Sequence, residues 1–204
     1  MAALEANKRM NAAYWRIKHK DVFHMKSLYI MMYEWLVEQE WAKRDEDFPE
    51  KTYLQNEAAQ GGTELWIFWR FKKDPFRGRA PHGESKFWEW RIRIDFHIIL
   101  LKDIEVMHQG QKFKTNSGEV EMKIWADQYL DPEGEWDKHP FLKNWINIFR
   151  GRLLKEEADK LKLELYREAY RLQDAVKTYL KLKRWYPEPE EMGVYFPTGG
   201  LGDV

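Results

Sequence analysis

"FWEWRIRIDFHIILL", Phe87 to Leu101, is the stretch that decides the fold. Trp88, Trp90, Ile92, Ile94, Phe96, Ile98 and Leu100 fall on one side of an extended chain. Glu89, Arg91, Arg93, Asp95 and His97 fall on the other. Successive side chains of a strand point to opposite faces, so this alternation predicts a half-buried β-strand. Upstream, "TELWIFWRFK" (Thr63 to Lys72) reads the same way, with Leu65, Ile67, Trp69 and Phe71 on one face. Its other face holds Glu64, Arg70 and Lys72 together with Trp66 and Phe68, two large aromatics on a nominally polar side. Such a pair marks either a covered face or a docking patch.

Downstream, "IEVMHQGQKFK" predicts a hairpin with Gln109-Gly110 as a two-residue turn. Asn116-Ser117-Gly118 predicts a second turn, and "GEVEMKIWADQYL" (Gly118 to Leu130) a further alternating strand. "DPEGEWDKHP" closes the sheet as a turn, since Gly134 is misplaced for a calcium-binding loop.

Helices flank these strands. Residues 2 to 19 are Ala-rich and basic, and predict a helical extension over residues 1 to 20. A second helix is expected from an N-cap at Asp21 to about Asp45, with Met25, Leu28, Met32, Trp35 and Leu36 on its apolar face. Phe48-Pro49 and "QNEAAQGG" (Gln55 to Gly62) then break the chain. Phe141 to Phe149 is apolar and periodic, with a possible kink at Gly151. Leu153 to Leu182 is the most regular segment, with Leu154, Ala158, Leu161, Leu165, Ala169, Leu172, Val176 and Tyr179 at helical spacing. Thirty helical residues span about 45 Å, so part of this helix should meet another helix, its own or a second copy's. Runs of strands between helices, without βαβ alternation, predict an α+β fold: an antiparallel meander of about four strands, an N-terminal helical segment and a long C-terminal helix packed on the sheet. Residues 1–183 read as one domain, and 184–204 as a Pro/Gly-rich aromatic tail that should lie in a groove.

Composition bounds the function. The chain has 204 residues, 44% apolar and 33% charged, with 11 Trp. Lys+Arg and Asp+Glu balance at 34 each, which removes the bulk basic charge that nucleic-acid binding favours. The absence of cysteine excludes disulfides, thiol nucleophiles and Cys-ligated metals. Neither a membrane-spanning apolar run nor a signal-peptide h-region is seen, and a cytoplasmic protein is expected. The six histidines lack zinc-binding spacing, and no Walker A, Gly-x-Ser-x-Gly or GxGxxG pattern occurs. Hence no catalytic residue, metal or cofactor is assigned.

Binding candidates remain. On the polar face of the central strand, i and i+2 neighbours lie about 7 Å apart, suiting charges that pair along and across strands. Glu119, Glu121 and Lys123 are the expected partners. Were that face an interface, Trp66 and Phe68 would be its apolar anchors and Arg91 and Arg93 its polar contacts, with Trp185, Tyr186, Tyr195 and Phe196 of the tail adding aromatic contacts. Lys72, Lys73, Arg77 and Arg79 of the loop "KKDPFRGRAPHGESK" are candidates for an anion or nucleic acid.

The run "LLKDIEVMHQGQKFKTNSGEVEMKIWADQYLD" (Leu100 to Asp131), followed by "HPFLKNWINIF", resembles a set of small uncharacterised archaeal proteins. The likeness lies in a "KD-I/V-E-V…G-K" hairpin, a "G-x-V/I-x-I/M" strand and a "FLK" helix start, and covers roughly residues 63 to 183. It implies an archaeal cytoplasmic setting and no particular activity.

The leading expectation is therefore a non-enzymatic interaction or assembly protein, self-associating through the long helix, the tail and the sheet face. Two alternatives accompany it. One is a helix-grip binder of an apolar small molecule or lipid, lined by Trp88, Trp90, Phe96, Met122 and Trp125, although Trp125 breaks the inward alternation. The other is a nucleic-acid binder using the basic loop and the N-terminal segment.

Overall fold

The structure, a computed structural model, describes residues 9–44, 48–57, 61–76, 87–108, 111–140 and 154–182. In chain order it comprises β1 (Arg9–Phe23), α1 (Met25–Glu38), β2 (Glu50–Glu57), β3 (Thr63–Lys73), β4 (Trp88–His108), β5 (Gln111–Leu130), a single turn of helix α2 (Glu135–Lys138) and α3 (Lys155–Tyr179). The strands form one antiparallel sheet in the order β1-β5-β4-β3-β2. β2 to β5 are a four-stranded meander, and β1 returns to pair along β5.

The alternation in β4 sets the core. Trp88, Trp90, Ile92, Ile94, Phe96 and Ile98 are buried beside Ile67, Trp69 and Phe71 of β3 and Val120, Met122, Ile124 and Ala126 of β5. α1 and α3 cover this one face. Leu28, Met32 and Leu36 of α1 and Leu161, Leu165, Ala169, Leu172 and Val176 of α3 complete the cluster. Two side-chain donors at the seam reach helix carbonyls: Trp15 Nε1 donates to Ala169 O at 3.1 Å, and Gln128 Nε2 to Ala158 O at 3.3 Å. The apolar stripe of the long helix is thus spent inside the chain, on β1, β5 and α1.

Four expectations are corrected. Residues 9–20 are strand, not helix. Ala13, Trp15 and Ile17 alternate with Tyr14, Arg16 and Lys18, and the period of two prevails over the Ala-rich composition because β5 offers a full ladder from Tyr129 to Asn116. The following helix starts at Met25, not after Asp21; its N-cap is His24, whose Nδ1 accepts from Ser27 N at 3.1 Å. It ends at Glu38, with Glu40 in the left-handed region at φ 59°. Glu50–Glu57 is a fifth strand where a break was expected. It is a mostly exposed edge strand, and so lacks a buried alternating face to betray it.

Finally, Asn116-Ser117-Gly118 is no turn. β5 runs straight through it, and a bulge sits instead on the facing strand, between Ile99 and Lys102, with Leu100 at φ 55°. Gly118 lies against that bulge: a Cβ there would stand 3.1 Å from Ile99 O and 3.2 Å from Leu101 Cα. Asn116 Oδ1 accepts from Met25 N at 3.1 Å and so fixes the start of α1. Gln109-Gly110, the expected helix over 141–149 with its kink at Gly151, and the tail lie outside the described residues.

Candidate functional site

With both long helices on one face, the opposite face of the sheet presents the polar set of β4 and its neighbours. Cross-strand register, not sequence distance, decides which of these side chains meet. Trp66 lies opposite Leu54 on β2 and His97 on β4. The Trp66 and His97 rings stack at 3.6 Å, and His97 Nε2 is 2.6 Å from Glu64 Oε1. Phe68 lies opposite Asp95, and the Arg70 guanidinium stands 5.4 Å from its ring. Trp66 and Phe68 are half-buried and Leu54 is exposed, so this end of the face is an apolar patch edged by ion pairs.

The other end is basic. Arg70 is directly opposite Arg93, and in the next outward-facing register Lys72 is directly opposite Arg91. Like charges facing each other across a ladder are unfavourable unless something neutralises them. Three carboxylates serve five cations there. Asp95 Oδ1 is 2.5 Å from Arg70 Nη1. Glu89 pairs with Arg91 and, at 3.7 Å, with Lys72. Asp127, wholly buried, takes Arg9 at 2.9 Å, Arg93 at 3.1 Å and a hydrogen bond from Asn11 Nδ2 at 3.1 Å. The hydrogen bond to Asp127 raises the pKa of Arg9 and keeps it charged. Arg91 stacks 4.1 Å above the Tyr129 ring, and Arg93 lies 5.2 Å from Trp125.

The expected partners of the arginines are therefore revised. Glu119 pairs with Lys18, and Glu121 with Arg16 and Lys123. These bonds, Lys123 first, hold the Glu121 carboxyl below its usual range. Arg16 and Lys18, expected on a basic N-terminal arm, are neutralised in the β1–β5 ladder.

Of the anticipated interface residues, Trp66, Phe68, Arg91 and Arg93 share this open face; Trp185, Tyr186, Tyr195 and Phe196 lie outside the described residues. The anion set is divided. Lys72 is on the open face, but Lys73, one residue on, points to the helix side and contacts Glu168 and Gln39 O. Arg77 and Arg79 lie outside the described residues. Arg70 and Tyr129 were missed as site residues, although the parity of β3 already puts Arg70 beside Lys72. Trp88, Trp90, Phe96 and Met122, the proposed cavity lining, are buried in the sheet–helix core, and Trp125 is on the open face.

Among the described residues no group of His, Asp and Glu gathers as a metal site requires, and no helix is long and apolar enough to cross a membrane. No family model matches the chain, and no curated protein matches it in sequence.

Proposed function

We propose that this chain is a non-enzymatic binding protein that associates with a second copy of itself through the open face of its sheet. The observation that carries the reading is the division of the molecule's apolar surface. The helix-side stripe is consumed internally, whereas Leu54, at 53% exposure, with Trp66 and Phe68, stays on a face without a covering helix among the described residues. Large apolar side chains ringed by charge are what an interface core and rim require. The balanced net charge offers little repulsion against such a contact. The burial of Trp88, Trp90, Phe96 and Met122 in the core favours this reading over an apolar-ligand cavity.

The test is native mass spectrometry at two concentrations, with Phe68→Glu as the comparison. The expected result is a discrete multiple of the 24.8 kDa chain that reverts to monomer in the variant with its circular dichroism unchanged. A monomer for the unaltered chain at both concentrations contradicts the reading.

A further inference from the structure

The apolar patch of the open face carries one titratable pair that no lysine or arginine joins. Three carboxylates border His97. Asp95, the next outward residue of β4, is held by Arg70, and Glu121, directly opposite on β5, by Arg16 and Lys123. Glu64 of β3 is the third, and its one ionic partner among the described residues is the His97 imidazole, with Nε2 2.6 Å from Oε1. β2 adds no charge at these registers, where Leu54 and Asn56 stand opposite Trp66 and Glu64. The imidazole also lies flat against Trp66, with ring centroids 3.6 Å apart and planes 17° from parallel. Both members of the pair are already partly withdrawn from water, His97 at 23% and Glu64 at 32% side-chain exposure.

We infer that self-association takes up a proton at His97, so that two copies bind more tightly as the pH falls through the range in which histidine titrates. This inference rests on the open-face contact proposed above and adds its regulation. An ionised carboxylate can only accept, so His97 Nε2 carries hydrogen in either state. The added proton therefore goes to Nδ1, which has no partner among the described residues. With a neutral imidazole the Glu64–His97 pair carries a net negative charge; with an imidazolium it carries none. A second copy seated on Leu54 and Trp66 strips the remaining water from Glu64. Desolvating an unneutralised carboxylate costs more than desolvating a hydrogen-bonded ion pair. Protonation also makes the stack on Trp66 a cation–π contact, which gains strength as water leaves. Both effects favour the protonated pair in the complex, and linkage then requires association to take up protons. Arg70, Arg16 and Lys123 oppose the added charge, but each already faces a carboxylate of its own.

Sedimentation equilibrium of the full chain from about pH 8 to about pH 5.5, the interval in which histidine ordinarily changes charge, tests the inference. The dimer dissociation constant of the unaltered chain should fall about tenfold or more across this interval. His97→Phe keeps a ring against Trp66 but offers no proton site, so it should dimerise with the same constant throughout. Glu64→Gln removes the charge that association must desolvate, and at the alkaline end it should bind at least as tightly as the unaltered chain. Circular dichroism verifies that both variants fold. A dimer of the unaltered chain whose constant does not move with pH overturns the inference and leaves the self-association reading standing. So does a slope that persists in His97→Phe, or a Glu64→Gln variant that binds more weakly at the alkaline end. A monomer at every pH overturns both.

Discussion

Lys73 Nζ lies 2.9 Å from Glu168 Oε1, joining the last residue of β3 to the middle of α3. The same carboxylate oxygen accepts from Trp41 Nε1 at 2.7 Å, and Lys73 also donates to Gln39 O at 2.7 Å. One ion pair therefore ties together the sheet, the end of α1 and the long helix. Both side chains are largely withdrawn from water, at 14% and 8% exposure, with the ammonium 5.2 Å from the Trp41 ring.

Breaking a buried pair leaves its partner's charge uncompensated, so Glu168→Ala should cost about 3–5 kcal/mol, a large share of an ordinary domain's stability. Lys73→Met, which removes the charge but keeps the bulk, leaves Glu168 its Trp41 bond and should cost less. Urea unfolding of the two variants checks the order. Equal midpoints to the unaltered protein would mean that the pair is solvated after all.

Asp127 offers a second test, on the open face. Its carboxylate is fully buried beneath Arg9, Arg93 and Asn11. Asp127→Ala should destabilise by about 3 kcal/mol, because Arg93 then faces Arg70 without its counter-charge. Added sulfate should restore more stability to the variant than to the parent protein, and an equal response in a thermal melt would count against that account.

How much of this was legible in the sequence depends on how far each segment's burial leaves a period. β3 and α3 bury one face each, and their alternation or three-and-four spacing predicts them within a few residues, whereas β4, expected over Phe87 to Leu101, runs on to His108. β1 carries the same alternation around Trp15 and Ile17, but alanines at 12 and 13 and the upstream Ala-rich run suggest helix; only the ladder with β5 resolves it. β2 is an edge strand with little buried, so "EKTYLQNE" has no pattern to read. The candidate site is less legible still. Arg70 and Lys72, or Arg91 and Arg93, share a face by parity alone. That Arg70 meets Arg93 is a matter of cross-strand register, which leaves no periodic trace in either strand.

The bulge itself yields a prediction. If Gly118 were a turn glycine, replacing it would act through its φ. Instead its missing Cβ makes room for backbone atoms 3.1 to 3.3 Å away across the ladder. Gly118→Ala should therefore cost about 1–3 kcal/mol as overpacking against backbone that cannot rotate aside. Gly118→Val should cost more, despite valine's preference for strands. A neutral Gly118→Ala in chemical denaturation would show that β4 relaxes freely there.

The last prediction concerns alkaline pH. Tyr29 packs edge-on to Trp69 at 4.9 Å, and its hydroxyl donates to Glu50 Oε2 at 3.1 Å, an oxygen that also accepts from Trp69 Nε1 at 2.9 Å. Burial, then the neighbouring Glu50 carboxylate, push the Tyr29 phenol well above its ordinary value of 10.0. The folded chain thus holds this proton more tightly than the unfolded chain does. The stability it contributes is complete below pH 10.0 and is lost as the pH rises above that value towards the folded-state pKa. Tyr170 and Tyr179, also raised by burial, act in the same direction. Tyr29→Phe should lower stability by about 1 kcal/mol at neutral pH through the lost hydrogen bond, yet flatten the decline above pH 10.0. Urea midpoints for both proteins from neutral into the alkaline range decide it: parallel declines would assign the alkaline loss to other groups, whereas convergence of the two curves places it at Tyr29.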